Sequence, residues 1–233
     1  MKNTIKLLLA TASVALLAAC GGGGGGGSTG PVASTSTFPL LTVLANTLQA
    51  SSNTYSISGT VNGVAVTGSG TATRGALSSG TFEGSSAQQR TTTATGSIVA
   101  NGQTIPLNSS SIDWYNSNYS PLGSSGGEDY VVVVGSAVIP ATVRVNDTAT
   151  VYTANRYSNS SKTVLRGTET VSYVVEADTA NTALLTLIMT ERNTSNTVTS
   201  TSTQQVRITP AGTFTRIKET LLEGSTTLTL TYN

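Results

Sequence analysis

The chain has 233 residues, a formal net charge of +1, only 10% charged side chains and no histidine. The missing histidines remove the usual general base, the imidazole metal ligand and every Ser-His-Asp or Cys-His pair. A single cysteine excludes an intrachain disulfide, a cysteine-based zinc site and an iron–sulfur cluster. Low, balanced charge argues against nucleic acid, because phosphate binding needs clustered Lys and Arg. No catalytic residue, metal site or cofactor is therefore expected.

Residues 1–19 read as a signal segment. Lys2 and Lys6 supply the positive start, and Ile5 to Leu17 form an apolar stretch too short to span a bilayer. The segment ends in Leu17-Ala18-Ala19-Cys20, which resembles the lipobox of bacterial lipoproteins. The resemblance implies cleavage before Cys20 and acyl chains such as palmitate on that cysteine, so the expected partner is a membrane held through covalent lipid. Two or more chains hold stably, since each buried methylene contributes about 0.8 kcal/mol. Lys2 and Lys6 leave with the signal, so 10 basic and 11 acidic side chains remain.

Residues 20–37, beginning with Gly21 to Gly27, read as a tether with nothing apolar to bury and a reach of roughly 20 to 24 Å. Signal and glycine run together are similar to uncharacterised proteobacterial lipoproteins, a group that brings no activity with it. Gly21 is not the Asp associated with inner-membrane retention, so the resemblance implies the outer membrane, with either face open.

Residues 38–233 read as one β-rich domain. Its start holds the single helix candidate, residues 38–50, with Thr37 as a cap and Leu40, Leu41, Leu44, Ala45 and Leu48 on one face. That face suits a cover for the open end or face of a sheet. From Tyr55 the period becomes two, and Asn62-Gly63 and Asn101-Gly102 each stand between alternating runs as hairpin turns. Residues 82–90 read as an edge or loosely packed strand. Further strands are expected at 129–136, 141–157, 162–176, 183–192, 198–209, 213–222 and 226–232. Their short Asn-, Asp-, Gly- and Pro-containing separators can only join antiparallel neighbours. The expectation is an all-β, up-and-down meander of about 10 to 12 strands, closing into a barrel, folding into a strongly curved sheet or splitting into a sandwich. Ala183, Leu185, Leu187 and Met189 mark a dry face, and Ser200, Ser202 and Gln204 a wet one.

Chemistry is sparse. Neither Lys162 nor Lys218 follows a serine by three positions, so no Ser-Lys dyad is recognisable, and both read as solvated charges. Glu83, Asp113, Glu128, Asp129 and Asp147 are scattered carboxylates that only a fold could pair. The segment from Asp113 to Tyr130 concentrates the only Trp and three of the eight Tyr. Trp114, Tyr115, Tyr119 and Tyr130 are the candidate ligand loop, because aromatics on a loop can stack on a ligand and hydrogen-bond at their tips. The bland alternative is that they hold a long loop against the sheet. The sequence thus points to an anchored, non-enzymatic β domain binding a lipid, glycan or protein partner of the cell envelope. A structural envelope protein without a small ligand is the alternative, and a carboxylate-based hydrolase a more distant one.

Overall fold

Two Asn-Gly pairs set the first corners of the fold. Asn62 and Gly63 adopt φ of 50° and 80°, and Asn101 and Gly102 adopt 48° and 74°. Both positions of each turn are left-handed, as a two-residue type I′ hairpin requires. The turns join β1 (Ser51–Val61) to β2 (Val64–Arg74), and β4 (Ser85–Ala100) to β5 (Gln103–Tyr115). The computed structural model describes residues 30–233. Its other strands are β3 (Ser78–Phe82), β6 (Pro121–Gly126), β7 (Asp129–Val133), β8 (Thr148–Tyr157), β9 (Leu165–Thr179), β10 (Thr182–Asn193), β11 (Val198–Ile208), β12 (Phe214–Glu223) and β13 (Thr226–Tyr232).

Each strand from β4 to β13 pairs antiparallel with the next, and β13 returns to β1 through Tyr55↔Tyr232. The ring closes where β2 pairs with β4, from Val66↔Ala100 to Arg74↔Thr92. Beyond Arg74 the same edge of β4 is taken by β3, from Ser78↔Gln89 onward. Strands β2 and β3 therefore share one place, and the result is a twelve-stranded closed barrel, neither a sandwich nor an open sheet. Closure leaves no long unpaired edge. Outward positions such as Ser56, Ser58, Thr60, Thr67, Ser69 and Thr73 are exposed and polar. No helix among the described residues is long and apolar enough to cross a membrane.

Helix α1 (Leu40–Thr47) is shorter than its periodicity predicts. Pro39 occupies the cap position without a side-chain hydrogen bond, while Thr37 accepts from Arg144 Nε at 3.2 Å instead of capping. Leu40, Val43 and Leu48 are buried, whereas Leu41 is 44% exposed and lies off the packed face. The helix plugs one end of the barrel, in a cluster with Phe38, Val143, Tyr173, Val175, Leu185, Val206 and Ile208. A second cluster of Ile57, Val66, Ile98, Leu107, Leu221 and Leu228 fills the end marked by the Asn-Gly turns.

Two stretches differ from expectation. The strand expected from residue 141 begins at Thr148, because Pro140 lacks a donor and Asn146 turns at φ 78°. Residues 134–147 cross the helix end, where Val143 and Phe38 exchange backbone hydrogen bonds at 2.8 and 2.9 Å. Residues 30–37, read as tether, lie along the barrel instead, with Val32 bridged to Asp178 and Ser34 buried. Cys20, the signal segment and the tether up to residue 29 lie outside the described residues.

One packing detail fixes the β1–β2–β4 wall. Gly70 stands opposite Tyr55 on one side and Gly96 on the other. A Cβ at Gly70 would fall 2.5 Å from Tyr55 Oη and 2.4 Å from the Thr95 carbonyl oxygen. Overpacking of this kind costs about 1–3 kcal/mol. Gly70→Val is expected to lower the thermal midpoint by several degrees, whereas Gly75→Ala, whose nearest neighbour is 3.4 Å away, should leave it within a degree; paired thermal melts check both.

Candidate functional site

A twelve-stranded barrel is wider than its own side chains can fill, since about eight strands is the size at which they just meet. Between the two apolar clusters, charged side chains occupy the middle of the lumen. Register and burial place Arg74, Arg90, Arg156, Arg216, Asp113, Asp129, Glu169, Glu191 and Glu219 there. Buried charges persist only when paired or hydrogen-bonded, and most of these are.

Three groups can be distinguished. Arg90 Nη2 reaches Asp113 Oδ2 and Tyr115 Oη, each at 3.2 Å, while its Nη1 donates to the Thr47 carbonyl at 2.9 Å. That last bond ties the C-terminal end of the plug helix to the barrel wall and satisfies one of its orphan carbonyls. Residues 82–90 are thus no loose edge strand, because Arg90 is 9% exposed and anchors the helix. Arg156 Nη2 bridges Asp129 at 2.6 Å and Glu191 at 2.9 Å, and nearby Tyr152 donates to Glu169 at 3.2 Å. Arg74 pairs with Glu219 at 3.5 Å, and Glu219 also accepts from Tyr232 at 2.7 Å and Gln204 at 2.6 Å.

These groups surround a chamber of about 230 Å³. Leu44 of α1 and the C-capping Leu48, with Ile139, Val151, Val171, Leu187 and Met189, make its apolar side. Arg74, Arg90, Asp113, Tyr115, Tyr152, Glu169, Gln204 and Arg216 make its polar side. Tyr119 lines the chamber and is 42% exposed, so the chamber opens beside the β5–β6 turn. Asp113 has 29% of its side chain accessible, and that surface faces the chamber rather than bulk water. Burial therefore raises its pKa despite the Arg90 guanidinium. Burial and the carboxylate of Glu191 push Glu169 up to about 8, so it carries a proton at neutral pH. Burial and the nearby Arg74 lower Arg216 to about 10.

The structure separates the sequence-predicted aromatics. Asp113 to Tyr115 end strand β5, and only residues 116–120 form the turn, so the segment is not a long loop. Tyr115 points inward to Arg90. Trp114, opposite Gln89 and Gly123, faces outward and packs on Phe82 with ring centroids 4.8 Å apart, and it also borders the chamber. Tyr130 completes that outer cluster, 5.7 Å from Phe82 and 6.2 Å from Trp114, and donates to Glu83 at 2.7 Å. Trp114, Tyr115 and Tyr119 thus share the chamber, while Tyr130 does not line it.

The scattered carboxylates also divide. Glu83 pairs with Lys162 outside, Glu128 is exposed, and Asp147 Oδ2 accepts from the Arg144 backbone in a turn. Asp113 and Asp129 are inside. Among the described residues no three His, Cys, Asp or Glu side chains are grouped to hold a metal ion. Sequence reasoning missed Arg74, Glu169 and Arg216 altogether, and it placed Ser200, Ser202 and Gln204 on a wet outer face. Ser200 and Ser202 are buried opposite Glu191 and Met189, and Gln204 lines the chamber. No family model, curated protein or solved structure matches the chain.

Glu169 makes stability depend on pH with a definite sign. Its folded pKa of about 8 lies above the ordinary 4.5, so folding favours the protonated form. This contribution is fully present below pH 4.5 and is lost progressively as pH rises towards 8. Glu169→Gln keeps the acceptor for Tyr152 without the charge. The variant should match the parent near pH 4.5 and exceed it by up to a few kcal/mol at pH 8; denaturant unfolding at both pH values measures the difference.

Proposed function

We propose that the protein is a lipid-anchored lipoprotein of the outer membrane whose barrel is a binding module for a small amphipathic molecule. The observation that carries this reading is the chamber itself, aliphatic towards the plug helix and charged towards the opposite wall. A cavity of about 150 Å³ holds benzene, so by that scale 230 Å³ encloses roughly nine non-hydrogen atoms. Among lipid, glycan and protein partners, a lipid-like molecule fits best, because one side of the space, from Leu44 and Leu48 to Leu187 and Met189, is mostly aliphatic. A glycan would leave its hydroxyls unpaired there, at the usual penalty for buried polar groups. The exposed, polar outer positions of β1 and β2 suit a barrel standing in water at the end of a tether. They do not form the apolar band that a membrane-spanning barrel turns to lipid.

The reading does not require an enzyme. Asp113 and Asp129 are each held by an arginine, and Glu169 is held by Tyr152.

Two measurements test the two halves of the proposal. Cells fed a labelled fatty acid should incorporate it into the chain, and Cys20→Ser should abolish incorporation; label retained in the variant refutes anchoring at Cys20. Native mass spectrometry of residues 30–233, produced without the anchor, should show extra mass that organic extraction removes. A clean mass both as isolated and after exposure to an envelope lipid extract would contradict the binding role.

A further inference from the structure

The path of residues 30–38 fixes where the chain joins the barrel. Phe38 exchanges backbone hydrogen bonds with Val143 beside the plug helix, Ser34 is buried, and the Val32 N–H donates to the Asp178 carbonyl at 3.2 Å. Asp178 stands near the end of β9, just before the turn that closes on the Thr182↔Thr179 pair. Its carboxylate accepts from Arg207 Nε at 2.6 Å and Nη2 at 3.1 Å, which ties this hairpin to β11. The Val32–Asp178 bridge is antiparallel. Tracing the chain back from Val32 to residue 30 therefore follows the direction of β9, outward past its end. The apolar cluster around α1 includes Val175 and Ala183 of this hairpin, so the chain joins the barrel at the helix-plugged end.

The chamber's mouth is at the same end. The β5–β6 turn follows Tyr115, whose hydroxyl accepts from Arg90, the residue that also holds the Thr47 carbonyl of the helix. Tyr119 in that turn, with Thr47 and Leu48 at the end of α1, lines the chamber. The Asn-Gly turns close the opposite end. Length decides which end a bilayer can meet. Strand β9 has 15 residues, so at about 3.3 Å per residue and a tilt of about 40° the two ends lie roughly 35–40 Å apart. Ten residues separate Cys20 from residue 30, and fully extended they span at most about 33–36 Å. A lipid on Cys20 reaches a bilayer at the helix end with length to spare. For a bilayer at the Asn-Gly end, the same ten residues would be taut or too short. Exposed aliphatics occur at both ends, Leu41 and Val32 at one, Val99 and Leu222 at the other, so the chain path decides the orientation and surface hydrophobicity does not.

We propose that the helix-plugged end is the face the barrel turns to the membrane, so that the mouth beside Tyr119 opens onto the bilayer surface. The inference rests on the anchoring and the binding role proposed above, and adds the orientation that joins them. An amphipathic molecule leaving the bilayer then meets the mouth directly, without travelling the length of the barrel. Leu41 and Tyr119, 44% and 42% exposed, stand on that face. A tyrosine suits the boundary between headgroups and water, where its ring is in apolar surroundings and its hydroxyl stays wet.

The test uses the full lipidated chain in phosphatidylcholine vesicles that contain a nickel-chelating lipid, with one nitroxide label per variant. The labels sit on cysteines that replace exposed residues: Ser117→Cys beside the mouth, Ala180→Cys in the β9–β10 turn and Gln103→Cys at the Asn-Gly end. Acylated Cys20 takes no label, and thermal melts matching the parent qualify each variant. Nickel at the headgroups speeds the relaxation of a nearby nitroxide, and the effect falls steeply with distance. Relative to nickel-free vesicles, the labels at positions 117 and 180 should relax severalfold faster than the label at position 103. Equal enhancement at all three positions, as a barrel lying on its side gives, or a stronger effect at position 103 would overturn the orientation and leave the chamber's binding role intact. Flotation of the same vesicles reads the anchoring separately. A lipidated chain that floats with them supports it; one that stays behind overturns the anchoring and this inference with it.

Discussion

Closing twelve strands into one ring creates more interior than the chain's own side chains can fill, and most other features answer that constraint. One end takes a helix of eight residues, α1, together with Phe38 and Val143. The other end takes a cluster of branched aliphatics around Ile98 and Leu228. The middle takes charge. With only three Phe and one Trp in the chain, there is little aromatic bulk to span the gap, and long arginines reach across it instead. Arg90 joins the wall to the helix, and Arg156 draws Asp129 and Glu191 together. Such pairs contribute little net stability when buried, but losing one partner is expensive. They specify the barrel more than they stabilise it.

The carboxylates of the network are all partnered, although some guanidinium nitrogens are not. Around Arg156 every carboxylate has a cation or a tyrosine to share. Arg216 Nη1 and Arg156 Nε have no hydrogen-bond partner among the described residues. The aliphatic lining beneath the helix gives the space a second, largely apolar half.

Much of the frame was legible in the sequence. Both Asn-Gly turns lie where alternation breaks, and strands β9 to β13 start and stop within a few residues of their turn signals. The short connections required antiparallel neighbours throughout. The lumen was not legible, for reasons that particular residues make plain. Alternation separates two faces but does not say which is inside when both carry polar groups, so Ser200, Ser202 and Gln204 were assigned to water. A bulge near Ile217, between the pairs Val206↔Arg216 and Gln205↔Lys218, then reverses the phase of β12. Arg216 and Glu219 share the interior, although their spacing of three would put them on opposite faces of a regular strand. The aromatic segment was half legible: its turn is real, but Trp114 and Tyr115 point to opposite sides of one strand. The opposition of Gly70 to Tyr55 depends on register, which no local pattern reveals.

The central claim is the proposed one, that the chamber of about 230 Å³ receives a small amphipathic molecule. X-ray diffraction from protein purified without exchanging its native contents tests that claim most directly. The account predicts a small amphipathic molecule in the chamber, with its aliphatic part against Leu44 and Leu48. A lumen collapsed on itself, with Arg216 swung onto Glu219 and side chains filling the chamber, would contradict it.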